Sequence, residues 1–473
     1  MRIKILIVMI FWIVLNHSGM TQSWSWVLNY NNSSNSSEIG TSIGTDKSGN
    51  IYVTGDNTSY TGGTGGAFDY FRMFYKYTSS GTLLWKDTLT NGNYKSVTDS
   101  VGNTYMIGGM TISKYDSTGQ LIWSKTYINK TLKNLSLSPL GGIVAVGFFN
   151  VNNIQTSVIF RLDSNGNELW NRVGDFAGCD VLTTDYLGNT YIAGNTINNN
   201  ISTSKCKKID ISGTLIASVI VPSDLIDIKV SEDLSIYGIG AYNLTNQSNT
   251  LYIMKYDSLF NNIWIKYMSG KNLSAASLLV DFQNKIYVSG SFYKSMTVID
   301  TTLNCDFVGM YIIKIDENGE IVWIKSSKGI GSQVQPYSSI LNHDNEIIFT
   351  GMIYGNSLFD ATQVITTYYS DMVVGKLSQN LITGLILKDN NSDHFTIFPS
   401  PTTGLFQIQC NTKPGDEVRV TIINSLGQRV YSERVQSKEA YTKYFDFTGM
   451  AKGIYFVEMM AGKSRSVRKL LLE

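Results

Sequence analysis

Asp46-Lys47-Ser48-Gly49-Asn50-Ile51-Tyr52-Val53-Thr54-Gly55 reads as a tight turn, an alternating apolar strand and a closing glycine. The same half-unit returns as Asp99-Ser100-Val101-Gly102-Asn103-Thr104-Tyr105 and Asp185-Tyr186-Leu187-Gly188-Asn189-Thr190-Tyr191, with weaker copies ending at Gly147, Gly240, Gly290 and Gly351. A second half-unit alternates with it. Its clearest copies are Lys114-Tyr115-Asp116-Ser117-Thr118-Gly119-Gln120-Leu121-Ile122-Trp123 and Lys314-Ile315-Asp316-Glu317-Asn318-Gly319-Glu320-Ile321-Val322-Trp323. The basic residue recurs at Lys76, Lys114, Arg161, Lys208, Lys255, Lys314 and Lys376. Trp follows at Trp85, Trp123, Trp170, Trp264 and Trp323, with Ala217 standing in once. Each half-unit counts to seven.

Asp opening and Gly closing a four-residue turn suits a tight link between antiparallel strands. Tyr, Ile and Val at alternate positions suit a pleated, half-buried face. Four short strands per unit cannot bury their faces without neighbours on both sides, so the spacing predicts an all-β fold, a seven-bladed β-propeller over residues 22–380. The last unit has a third strand at Met372–Leu377 but no Trp strand after it. The spare strand lies at the other end, Trp24-Ser25-Trp26-Val27-Leu28-Asn29-Tyr30, and is expected to complete the seventh blade. The Asp-x-x-Gly-Asn-x-Tyr-x-x-Gly half followed by Lys-x-Asp-x-x-Gly-x-x-x-Trp resembles the SBBP family of bacterial β-propeller repeats. That resemblance speaks to fold and hardly at all to function, because propellers host many activities.

Residues 381–395 lose the repeat and read as a linker. Beyond them, alternating strands and turns predict a small immunoglobulin-like β-sandwich over 396–473. Its marks are Phe398-Pro399-Ser400-Pro401-Thr402-Thr403-Gly404, Leu426-Gly427, Gly453-Ile454-Tyr455 and Lys469-Leu470-Leu471-Leu472. In this order at the C-terminus they resemble the type A sorting domain of the type IX secretion system, on Pro399, Pro401, Gly404, Gly427, Gly453, Tyr455 and Lys469. Ser400 departs from the Asn usual between the prolines. The resemblance implies the type IX machinery as partner, passage through the periplasm and across the outer membrane of a Bacteroidetes-type cell, loss of this domain, and release or attachment to surface polysaccharide.

Arg2 and Lys4 precede an apolar run from Ile5 to Leu15, 11 residues long. A spanning helix needs about 20, so residues 1–21 are expected to be a signal peptide cut near Thr21–Gln22, with no transmembrane segment in the mature protein. The balance of 38 basic and 37 acidic residues carries no nucleic-acid signature. Four cysteines are too sparse for a disulfide scaffold. Cys179 and Cys206 fall on the first and third strands of one blade, about 10 Å apart and too far to bridge.

Three histidines, His17, His343 and His394, are too few and too scattered for a triad or a histidine-rich zinc site. The Asp-x-x-Gly turns, Asp163-Ser164-Asn165-Gly166-Asn167-Glu168 nearest of all, invite a calcium reading, but a hairpin turn explains them more simply. No cofactor and no metal is expected. The basic and Trp series are read as packing. Counting from each glycine to its basic marker, the connections of blades six, seven and one are longest, at 24, 25 and 21 residues. They carry Tyr60, Asp69, Tyr70, Tyr293, Asp300, Tyr354, Tyr368 and Tyr369, a set suited to stacking on sugars or gripping a protein. The chain thus reads as a monomeric, non-catalytic binding or adhesion module for glycan or protein. The alternative is a secreted polysaccharide-degrading enzyme using acidic residues.

Overall fold

The computed structural model describes residues 22–30, 36–60, 68–89, 95–151, 154–198, 201–244, 248–298, 301–360, 362–366, 369–378, 395–400, 402–411, 417–424, 429–436, 440–461 and 464–472. The segment read as a signal peptide and most of the linker lie outside them. The chain divides into two compact units, Gln22–Asn380 and one containing Leu381–Glu473. The first consists of seven four-stranded antiparallel blades. Blade 1 runs Ser36–Thr45, Ile51–Tyr60, Phe68–Tyr77 and Leu83–Leu89. Blades 2 to 6 begin at Lys95, Thr131, Gly178, Leu225 and Ser274. Blade 7 has Lys328–Leu341, Ile347–Phe359 and Asp371–Ser378, and its fourth strand is Ser23–Tyr30 from the other end of the propeller.

The repeated residues explain the repeated geometry. At the first turn, the Asp46 carboxylate accepts the Ser48 and Asn50 amides at 2.9 Å, the Asn50 side chain at 2.8 Å and the Tyr52 hydroxyl at 3.1 Å. Asp185 repeats all four contacts in blade 4. Asp163, in the sequence nearest a calcium loop, spends its carboxylate on the Asn165 and Asn167 amides and the Asn167 side chain, so it closes a hairpin.

Second turns dock on the preceding blade. The Trp123 indole donates to the Ser164 carbonyl at 3.1 Å, Trp170 to Ile211 at 2.9 Å and Trp264 to Glu317 at 3.0 Å. The basic marker reaches the same turn, Lys76 to the Ser117 carbonyl at 2.9 Å and Lys114 to Ser164 at 3.0 Å. On the way the ammonium lies over the blade's own tyrosine, Lys76 on Tyr52, Lys114 on Tyr105 and Lys314 on Tyr287, each 5.0 Å from the ring centroid. A second basic residue, two after Trp, also crosses the seam: Arg172 donates to the Gly213 carbonyl at 2.7 Å. The sequence reading passed over it.

Glycine is required at two places. In the second turn it takes positive φ with the preceding Trp ring beneath it, a Cβ on Gly166 or Gly213 falling about 3 Å from Trp123 or Trp170. At the end of the second strand, a Cβ on Gly55, Gly147, Gly194, Gly290 or Gly351 would sit 2.0–2.5 Å from a first-strand carbonyl. That close approach accompanies a bulge in the first strand of every blade but the second, for example between Gly40 and Ser42.

One seam breaks both rules together. Blade 4 has Ala217 for Trp, and the facing turn of blade 5 has Phe260 for Gly, at φ 66°. Phe260 is buried among Tyr191, Ala217 and Val219, its ring edge-on to Tyr191 at 6.3 Å. The aromatic ring has moved from strand to turn, and it fills the same space.

At the closing seam Trp24 packs edge-on against Phe349 and Phe359, 5.4 and 5.2 Å between centroids. Its amide donates to Asp360 at 3.1 Å, and Lys325 donates to the Gln22 carbonyl at 2.9 Å. The four cysteines are unpaired, Cys179, Cys206 and Cys410 buried.

The C-terminal unit has a three-stranded sheet, Thr396–Phe398, Leu405–Asn411 and Ala440–Asp446, and a four-stranded sheet, Arg429–Gln436, Glu417–Asn424, Gly453–Ala461 and Ser464–Leu472. Their shared core is aromatic, with Phe406 stacked on Phe445 at 5.0 Å and Phe447 edge-on to Tyr455 at 5.7 Å.

Three outcomes follow from this packing. Ala217→Trp should overpack its seam and cost about 1–3 kcal/mol, and Phe260→Gly should cost about 2–4 kcal/mol by opening a void. The double variant should recover stability, a coupling that denaturant melts of the four proteins would measure; additive costs would refute the exchange. Deleting Ser23–Tyr30 exposes the edge of Asp371–Ser378, so the melting temperature should fall and aggregation rise. Side-chain hydrogen bonds, then turn amides, hold the pKa values of Asp163, Asp210 and Asp257 below the ordinary Asp range. Because the folded value is the lower one, their stabilisation is present above the unfolded value of about 3.9 and drains away as pH falls further. A melting temperature that stays flat from pH 5 to pH 3 would contradict this.

Candidate functional site

The first strands of all seven blades line a central channel of about 650 Å³. Register singles out one level of it, the residue paired opposite the position just before each closing glycine. These residues are Ser42, Lys95, Asn134, Val181, Asp227, Ser277 and Ser338. Six of the seven are polar, where a channel serving only as core would be apolar.

Several of them knit neighbouring blades. The Ser96 amide donates to the Ser42 hydroxyl at 3.1 Å, and the Asn134 side chain to the Asp180 carbonyl at 2.9 Å. Asp227 accepts the Leu278 amide of blade 6 at 2.9 Å, its own neighbour Ile228 at 2.8 Å and the Lys229 ammonium at 2.7 Å. Lys95 differs: among the described residues its ammonium has no hydrogen-bond or ion-pair partner. Burial in the channel wall holds its pKa below the ordinary lysine value; Asp227 acts to raise it and Lys229 to lower it further. Two carboxylates line the channel, Asp180 and Asp227.

On the face where second strands turn into third strands, blade heights are unequal. Blade 2 turns after Thr104–Gly108, whereas blade 6 extends Ile286–Val298 against Thr301–Ile315 and blade 7 carries Ile347–Phe359 with Thr362–Ile365 folded back on it. The long connections expected as loops in blades 6 and 7 are therefore mostly β-hairpin. They have their own buried residues, Phe292, Met296 and Val298 in blade 6 and Phe359 and Val364 in blade 7. Backbone pairing of Gly270 with Met296 and of Val308 with Gln333 ties them to their neighbours. Glu38 at the start of blade 1 donates its amide to the Ser370 carbonyl of blade 7 at 2.9 Å.

On this frame Tyr70 is 71% exposed, Tyr354 42% and Tyr369 40%. Asp69 is exposed beside Tyr70. Tyr293 is half-buried, edge-on to Phe307 at 5.5 Å with Lys294 over its ring, so its packing is internal to the hairpin. Asp300, Tyr368 and the Tyr60 side chain lie outside the described residues. The described candidates, Asp69, Tyr70, Tyr293, Tyr354 and Tyr369, lie on the second and third strands of three consecutive blades or on the connection between them. The sequence reading missed the polar ring below them because its members differ in type from blade to blade. The signal that could have found it is spacing, since each lies four residues before the residue that opens its first turn, as Ser42 before Asp46 and Lys95 before Asp99.

In the C-terminal unit the motif residues have structural work. Gly404 takes φ 137°, where a Cβ would lie 2.6 Å from the Thr448 backbone, and its carbonyl accepts the Phe447 amide at 2.8 Å. Gly453 takes φ 142°. Tyr455 is buried and donates its hydroxyl to the Ala451 carbonyl at 2.6 Å. Pro399 is exposed; the backbone of Lys469 pairs with Phe456, and its side chain, like Pro401 and Gly427, lies outside the described residues. A family profile described as the secretion system C-terminal sorting domain matches residues 396–473. Those residues are a sorting domain. This type IX tail implies the secretion machinery as partner and a secreted or outer-membrane surface protein.

Among curated proteins none matches the chain. Solved structures with a similar course include the Neurospora crassa Pan2 WD40 domain, 12% identical over 71% of this chain and 88% of that one, TM-score 0.45. The Dos1 propeller is 9% identical over 76% and 96%, TM-score 0.46. A protein of unknown function from Dyadobacter fermentans DSM 18053 is 8% identical over 76% and 99%, TM-score 0.46. At this distance the likeness concerns fold alone. The seven blades stand on their own strand pairing. No helix among the described residues is long and apolar enough to cross a membrane.

Proposed function

We propose that this exported propeller is a non-catalytic binding or adhesion module, which takes glycan or protein on the face carrying the tall hairpins. The supporting observation is that blades 6 and 7 project hairpins with buried cores of their own, a rigid mount for exposed aromatics. Rigid aromatic side chains lose little entropy on stacking against a sugar or a protein surface. We read the ring as an SBBP-type repeat array of a Bacteroidetes-type cell. Residues 1–21 would be its signal peptide, and the sorting domain would be removed on export to leave the propeller free or attached to surface polysaccharide. A polysaccharide-degrading enzyme would need two carboxylates, one of them free to donate a proton. Asp227, one of the two in the channel, is held by two amides and an ammonium, which favours the binding reading.

Truncating the hairpins would confuse the test, because Phe359 packs on Trp24 of the closing strand. Exposed side chains are the better target. Tyr70→Ala, Tyr354→Ala and Tyr369→Ala combined should change stability by no more than about 0.5 kcal/mol per site. Binding to a glycan array or to surface extracts should fall at least about tenfold. Full binding by the triple variant would place the ligand elsewhere.

A further inference from the structure

Lys95 occupies a position where the other blades place Ser42, Asn134, Val181, Asp227, Ser277 and Ser338. Several other lysines of the propeller have acceptors: Lys76 and Lys114 reach turn carbonyls, Lys207 reaches Asp175 at 3.2 Å, and Lys376 reaches Glu346 at 2.8 Å. Among the described residues Lys95 has none, and it lines the channel at the level of the polar ring. An ammonium placed in a channel wall without an acceptor within hydrogen-bond reach loses hydration, and the attraction of Asp227, opposed by Lys229, does not make up for it. Ser42, at the same level on the adjacent blade 1, accepts the Ser96 amide and keeps its own hydroxyl proton to donate.

The negative groups lie farther round. Asp180 and Asp227 belong to blades 4 and 5, and Asp227 is neutralised by Lys229 on its own strand. Among the described residues, blade 2 also has the shortest second and third strands, Thr104–Gly108 and Thr111–Tyr115.

We propose that the channel is a binding site for a small anion, a carboxylate or a phosphate, held by the Lys95 ammonium with the Ser42 hydroxyl as a second donor. The charge-assisted contact supplies affinity, and the hydroxyls and amides of the polar ring suit an anion carried on a hydroxylated body such as a uronic acid. Nothing covalent is involved. The inference rests on the binding-module reading, but the two fail separately, since the rim tyrosines are not part of the channel.

The test uses the full-length chain, wild type and Lys95→Met, titrated with glucuronate, inorganic phosphate and glucose and followed by calorimetry and thermal shift. Wild type should bind glucuronate or phosphate and ignore glucose. Lys95→Met should weaken that binding about 10- to 100-fold, the range for a hydrogen bond to a charged group. Without ligand it should melt no lower than wild type, because a desolvated cation has been removed. Lys95→Arg should keep part of the binding. Glucuronate alone would identify an acidic sugar; phosphate and glucuronate alike would identify a free small anion; both support the site. Equal binding of glucose, unchanged binding by Lys95→Met, no anion bound by wild type, or a Lys95→Met protein that melts lower unliganded would each overturn it. The Tyr70, Tyr354 and Tyr369 variant should retain the anion.

Discussion

A second-turn carbonyl, gripped at Ser164, Ile211 and Glu317 by both the Trp and the basic residue of the preceding blade, is the contact on which the ring depends. Each blade alone is a small sheet with two apolar faces and no core of its own. The Trp indole supplies area and a donor, the lysine or arginine a second donor, and the turn glycine the flat space in which the ring lies. Because donor and acceptor sit on different blades, the contact sets the distance and angle between blades as well as holding them together. The exchange of Trp for Ala217 and of Gly for Phe260 shows what is being conserved at the seam. It is the filled volume between strand and turn, whichever side provides it.

Closure repeats the fitting, with Trp26 of the closing strand beneath Gly81 of the blade 1 turn, and adds contacts of its own. Blade 7 has no third-to-fourth turn of its own, because its outer strand comes from the beginning of the propeller. Trp24 therefore packs on Phe349 and Phe359, and Asp360 and Lys325 pin the chain around it. The extended hairpin of blade 7 is thus part of the latch and not an idle ornament. That coupling joins the face proposed for recognition to the element that completes the ring.

The first strands that line the channel are bulged at one level in six blades, and in five of these the missing side chain of the second-strand glycine lets a first-strand carbonyl approach. Counted from the first turn, the seven equivalent positions all fall four residues before its opening residue, and so they share one level of the channel with or without a bulge. Side-chain type at that level changes from blade to blade, and blade 2 places a lysine where the others carry Ser, Asn, Val or Asp.

The sequence alone determined the number of blades, the strand that closes the ring and the sorting tail. These are written as local turn chemistry, and Asp and Gly at fixed spacing mean the same thing wherever they occur. It also showed that the Lys and Trp series pack, though not that they meet on a shared carbonyl of the next blade. Tertiary structure alone decided that the long connections of blades 6 and 7 are hairpins with cores, that Tyr293 packs inward while Tyr70 and Tyr354 remain exposed, and that Lys95 and Ser42 share one level of the channel. Those facts depend on which residues of distant strands come to lie side by side. Ser42 and Lys95 belong to different units of the repeat, and only the folded ring, which stands the first strands of blades 1 and 2 side by side, makes them neighbours.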